Sequence, residues 1–178
     1  MKKLCFTTII AAFLLSIFGC SSPQSDQLTE AQKETILKSV KQTSQRMWDL
    51  QQSYDSTSLK NFMGLVDPEC DRMWQTDPAA MIYNLNIIKT RAELNDSWGK
   101  SIESRIGTPV KILESYFAVI SRDQVLEVNK ADYSVMGKNS ITYGPFSMVN
   151  TIVWINRNGD WKMLHCHSSW AKKNEDQK

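Results

Sequence analysis

The chain has 178 residues, 42% of them hydrophobic, and its 21 lysines and arginines stand against 19 aspartates and glutamates for a formal charge of +2. So small a basic excess gives no source for the counterion release that drives nucleic-acid binding, so nucleic acid is excluded as a partner. The length suits one domain once any leader is set aside.

Lys2-Lys3, a largely apolar run from Leu4 to Phe18 and then Gly19-Cys20 follow the order of a basic n-region, an h-region and a small residue before a cleavage point. The apolar run is too short to span a bilayer comfortably. Ile17-Phe18-Gly19-Cys20 resembles the bacterial lipobox, with Phe18 where a small residue is usual. The resemblance implies a signal peptide over residues 1–19 and a mature chain whose first residue, Cys20, is acylated and serves as lipid anchor. Two or more acyl chains, palmitate among them, hold a protein to a membrane stably where one chain is marginal. Ser21 stands where an aspartate would retain many such proteins at the inner membrane, so the expected location is the bacterial cell envelope, at the outer membrane or cell surface. Removal of Lys2 and Lys3 with the leader turns 21 basic against 19 acidic residues into 19 against 19, a neutral mature chain.

Residues 20–28 read as a polar tether, and 29–171 as one domain. Thr29-Glu-Ala-Gln32 fits a capping box, and Ile36, Val40, Met47, Leu50 and Tyr54 follow at helical steps, which predicts a long amphipathic helix ending near Tyr54. A shorter helix is expected over Ser58 to Met63, with Gly64 as its stop and Asp67-Pro68 as a turn. Cys70 to Gln75 follows as a first strand, then a break at Thr76-Asp77-Pro78. Thr90-Arg-Ala-Glu93 opens a third helix carrying Leu94, Trp98 and Ile102 to about Arg105, before Gly107-Thr108-Pro109.

The period then changes to two. Val110–Ile120, Gln124–Val135, Thr142–Ile155 and Asp160–Trp170 are rich in Val, Ile, Tyr, Phe and Trp, with turns at Ser121-Arg122-Asp123 and Arg157-Asn158-Gly159. Residues 172–178 read as a solvated tail. Helices first and an antiparallel meander afterwards define an α+β fold.

In the last hairpin, Val153-Trp154, then Arg157, Gly159 and Trp161, then His165, His167 and Ser169 have a spacing similar to that of the calcium/calmodulin-dependent protein kinase II association domain. With the preceding helices they resemble the nuclear transport factor 2-like superfamily and its SnoaL-like domains. The resemblance implies a cone-shaped, curved antiparallel sheet wrapped around N-terminal helices, with an interior pocket and frequent dimerisation. It covers dehydratases, isomerases, epoxide hydrolases, cyclases and proteins that only bind or assemble, so the fold does not choose an activity. The association domain has an arginine directly before its Val-Trp pair; Ile152 stands here, and an anion-binding arginine is missing at that position.

His165 and His167, the only histidines, are the candidate catalytic residues. Strict alternation puts Trp161, Met163, His165, His167 and Ser169 on one strand face and Leu164, Cys166 and Trp170 on the other. A histidine inside the cone beside Asp67, Asp71 or Glu93 would form an acid/base pair; otherwise both histidines are structural. A metal site lacks further ligands at suitable spacing, and no cofactor is expected. Trp48, Trp74 and Trp98 are candidate ligand-binding residues, or else they fill the cone. Cys70 and Cys166 are a disulfide or two buried thiols. The functional expectation is a membrane-anchored domain that binds a small, partly apolar ligand or a protein partner; the alternatives are a lyase or isomerase and a homodimeric interaction module.

Overall fold

The computed structural model describes residues 27–70, 75–76, 87–88 and 90–172. The leader with its lipobox, Cys20, Asp71, Trp74 and the tail from residue 173 lie outside the described residues. Among those residues three helices lie against a curled antiparallel sheet, an α+β cone: α1 Glu30–Leu50, α2 Ser56–Leu65, α3 Arg91–Ser104, the short strands β1 Gln75–Thr76 and β2 Ile87–Ile88, and then β3 Arg105–Gly107, β4 Val110–Ser121, β5 Gln124–Gly137, β6 Thr142–Arg157 and β7 Asp160–Lys172.

α1 begins at the expected capping box: the Gln32 amide donates to the Thr29 hydroxyl at 3.3 Å and the Thr29 amide donates to the Gln32 side chain at 2.8 Å. Its buried residues Val40, Ser44, Met47 and Trp48 form one stripe. The helix stops at Leu50, short of Tyr54, because other backbone groups claim the chain there: the Thr108 amide donates to the Gln51 carbonyl at 2.9 Å and the Tyr54 amide to the Ile106 carbonyl at 3.0 Å. This approach requires glycine at position 107, since a Cβ would collide with the Gln52 carbonyl oxygen.

α2 is longer than its periodicity predicts, because Asp55 caps it by accepting the Ser58 amide at 2.7 Å. Gly64 lies inside the helix instead of ending it; the Lys162 ammonium donates to the Gly64 carbonyl at 2.8 Å and satisfies an end group that a glycine cap would otherwise serve. Cys70 is not in a strand but closes a turn, its amide donating to the Asp67 carbonyl at 3.0 Å. α3 is capped by Thr90, which accepts the Glu93 amide at 3.1 Å.

The strands pair in the order β3 and β4 on β5, then β6, then β7, all antiparallel. The β6–β7 turn uses Asn158 at φ 57° and Gly159 at φ 97°, the two positive dihedrals of a tight hairpin. Inward residues of the sheet, Val125, Ile152, Trp154 and Met163, meet Val40, Met47 and Phe62 of the helices in one core. Trp98 packs there between Tyr54, at 5.0 Å between ring centroids, and Phe62, at 4.2 Å.

One ion pair fixes the hairpin to the segment after α2. Arg157 donates to the fully buried Asp67 carboxylate at 2.8 Å and to Glu69 at 2.8 Å. The Arg157 hydrogen bond, ahead of an opposing desolvation, holds the Asp67 pKa below its ordinary value of 3.8. A depressed carboxylate pKa contributes stability that is complete above the ordinary value and is withdrawn as pH falls through the folded one. Arg157→Ala is therefore expected to cost roughly 2 kcal/mol in urea unfolding at neutral pH, and the difference from the parent should shrink below pH 3.8. A cost unchanged across that range would assign the loss to packing.

Candidate functional site inside the cone

β7 carries one residue more than β6 can pair. Met163 lies opposite Trp154 and His165 opposite Val153, so Leu164 is the extra residue of a β-bulge. The bulge reverses the expected alternation. Trp161 and Met163 point inward before it, and Cys166 and Ser168 point inward after it. His165 and His167 leave the face they were expected to share with Met163 and lie on the outer side, opposite Val153 and Thr151, His165 half-buried and His167 exposed. Of the acids expected beside them, Asp67 is committed to Arg157 and Glu93 is exposed on α3.

A ladder of buried polar side chains occupies the interior instead. Glu127 of β5 accepts three hydrogen bonds: from the Ser44 hydroxyl of α1 at 2.9 Å, the Asn129 amide at 2.7 Å and the Trp154 indole N–H at 2.8 Å. The Asn150 side chain donates to Asn129 Oδ1 at 2.8 Å and accepts from the Ser168 hydroxyl at 2.6 Å, with Cys166 Sγ 3.9 Å further on. Polar groups are tolerated in an apolar core only when paired in this way; an unsatisfied one costs about 1–3 kcal/mol. The ladder was absent from the sequence reading. Its signal was nevertheless present: on the period-two face of Val125, Ala131 and Tyr133, the residues Glu127 and Asn129 are polar at inward positions.

At the Ser168 end of the ladder lies a cavity of about 30 Å³, lined by Met47, Trp48, Gln51, Phe62, Met148, Asn150, Met163, Cys166 and Ser168. Trp48, one of the expected ligand-binding residues, is thus on the wall, and its buried indole N–H has no hydrogen-bond partner among the described residues. Trp98 is stacked in the core, and its indole N–H likewise has none among them. Cys70 and Cys166 are both buried and are not joined in a disulfide. Burial pushes the Cys166 thiol up to about 12, so it is protonated at ordinary pH and is no nucleophile. Among the described residues no three His, Cys, Asp or Glu side chains converge in a way that would hold a metal ion.

A sheet curled around helices in this way is the fold of solved structures named as nuclear transport factor 2-like, which align over most of this chain. A protein named as a dehydratase of this family from Streptomyces avermitilis aligns at a TM-score of 0.62 and 12% identity, over 79% of this chain and 99% of that one. The association domain of the calcium/calmodulin-dependent kinase II from C. elegans aligns at 0.55 and 16% identity, over 79% and 99%. A superfamily protein from Salmonella enterica serovar Typhimurium aligns at 0.55 and 13%, over 85% and 99%. No family sequence model and no curated protein sequence matches the chain.

Proposed function

We propose that the cone interior binds a small, partly apolar ligand carrying a hydrogen-bond acceptor. The observation that carries this reading is the unpartnered Trp48 indole N–H on a wall shared with Asn150 and Ser168. A buried donor without a partner is costly, and an acceptor delivered by a ligand removes the cost. A space of about 30 Å³ holds roughly one water molecule. A ligand therefore enters by moving Met47, Met148 and Met163, unbranched side chains that repack readily. Binding is preferred to the lyase or isomerase reading because His165 and His167 stand outside the cone, while every polar side chain of the ladder is already engaged in a neighbour's hydrogen bond. The dehydratase named among the similar structures indicates what this fold has been recruited for elsewhere, without supplying a base here.

Thermal shift with a panel of small ketones and carboxamides tests this. The parent should gain melting temperature with some of them. Trp48→Phe, which keeps the ring and deletes the donor, should bind those compounds roughly fivefold or more weakly. Equal binding by parent and variant would remove Trp48 from the site, and no binding by any compound would remove the ligand reading.

The second reading, a homodimer, rests on the outer face of the sheet. Tyr116 is 65% exposed and Val149 47%, and Leu126, Val128, Val153 and Ile155 add apolar area between them. Apolar groups gathered on one sheet face suit protein contact, and the kinase association domain, an assembling module by name, has the same fold. Sedimentation of the full chain in non-ionic detergent should give two chains per particle, and Tyr116→Asp should give one. A parent that sediments as a single chain rules the dimer out.

The same domain, in this proposal, is tethered to the bacterial envelope by acyl chains on Cys20, with outer-membrane or surface placement. Labelled palmitate should enter the full chain in a bacterial host and not Cys20→Ala. Equal labelling would sink the anchor.

A further inference from the structure

Outside the cone a second concavity, about 490 Å³ in volume, lies where α1, α2 and the β6–β7 turn meet. Its volume is in the range of small-molecule sites. α1 contributes Gln42 and Arg46 one helical turn apart, α2 contributes Lys60 and Asn61, and the hairpin contributes Asp160 and Lys162. Three cations thus face one acid, in a chain whose charges otherwise nearly cancel. The acid is already drawn toward the hairpin: Asp160 lies 3.9 Å from Lys162 on its own strand, and Lys162 is held at the rim by its bond to the Gly64 carbonyl. Arg46 and Lys60, with the Gln42 and Asn61 carboxamides, make no hydrogen bond or ion pair among the described residues. With a single acid against three cations the positive charges on this concave surface are only partly offset, and a bound anion relieves the remaining repulsion. The buried Trp161 and Leu65 also line the concavity. The cleft therefore offers a planar guanidinium and two ammonium groups, which suit a phosphate, and apolar lining residues, which suit a carbon skeleton.

We infer that this cleft binds the phosphate ester of a small organic molecule, with Arg46 and Lys60 as the principal phosphate-binding residues and Lys162 as a fixed positive charge beside them. The shared chemistry admits two sources, a soluble phosphate monoester or the headgroup of a phospholipid. The inference is independent of the cone site, since no residue lines both spaces.

The test uses the full chain in non-ionic detergent, followed by backbone amide NMR shifts. Glycerophosphate and inorganic phosphate are titrated at constant ionic strength, and in a parallel arm the micelles are doped with phosphatidylglycerol. Shifts confined to the Ser39–Arg46, Lys60–Leu65 and Gly159–Lys162 stretches are expected. Arg46→Ala combined with Lys60→Ala should weaken binding roughly tenfold or more, while Arg46→Lys, which keeps the charge, should retain part of it. Saturation by the soluble phosphates identifies a free metabolite-like ligand, and saturation only in doped micelles identifies a lipid headgroup; both support the site. Both exchanged side chains are exposed and unbonded, so the variants keep the fold, which their amide spectra will report. No localised shifts in either arm, or equal affinity in the double variant, overturns the inference.

Discussion

Three donors converge on the carboxyl group of Glu127, one from a helix and two from the sheet, and the rest of the cone is arranged around the need to satisfy it. A carboxyl group taken out of water costs several kcal/mol unless its oxygens are fully engaged. Ser44 can reach Glu127 only if α1 crosses the concave side of the sheet at one height and one rotation. The same rotation turns Val40 and Met47 into the core and carries Trp48 to the end of the ladder. Trp154 spends its indole N–H on Glu127 and thereby fixes β6 against β5. Once those donors are used, Asn129, Asn150 and Ser168 continue the pairing to the cavity, and the interior acquires a polar seam with apolar walls. The position of the cavity follows from the seam: it is the place where the ladder ends and an indole donor is left over.

The class and order of the elements were legible in the sequence, because capping residues and period-two runs are local signals. Thr29 and Thr90 cap helices where their spacing said they would, and Asn158-Gly159 turns the last hairpin. Boundaries set by distant groups were not legible. Nothing near Tyr54 announces that its amide will be taken by Ile106, and nothing near Gly64 announces that a lysine almost a hundred residues away will serve its carbonyl. The face of the two histidines was misread for one reason of the same type: alternation was carried through Leu164, where the pairing slips. Of the expected ligand-binding tryptophans, Trp48 is on the cavity wall and Trp98 is in the aromatic stack of the core, a division that depends on helix rotation and not on residue type.

The last hairpin joins three environments. Its turn and first residues border the basic cleft, Met163 and Cys166 reach the cone, and the histidines face outward on the sheet. Arg157 holds this hairpin to the α2 exit through a carboxylate that has no contact with water. The chain can therefore present a basic cleft, a buried polar seam and an outer sheet face without mixing them, because each borders a different side of one two-stranded unit.

The bulge at Leu164 also bears on how such a scaffold changes over generations. Straightened by one register step, the same strand would bring His165 and His167 into the cone and expel Cys166 and Ser168. Deleting Leu164 would straighten the strand and leave those faces as they are, whereas pairing Leu164 with Val153 would exchange the chemistry of the whole strand end across the sheet. In this architecture the side of the sheet on which a strand end presents its chemistry is set by backbone register, one residue at a time.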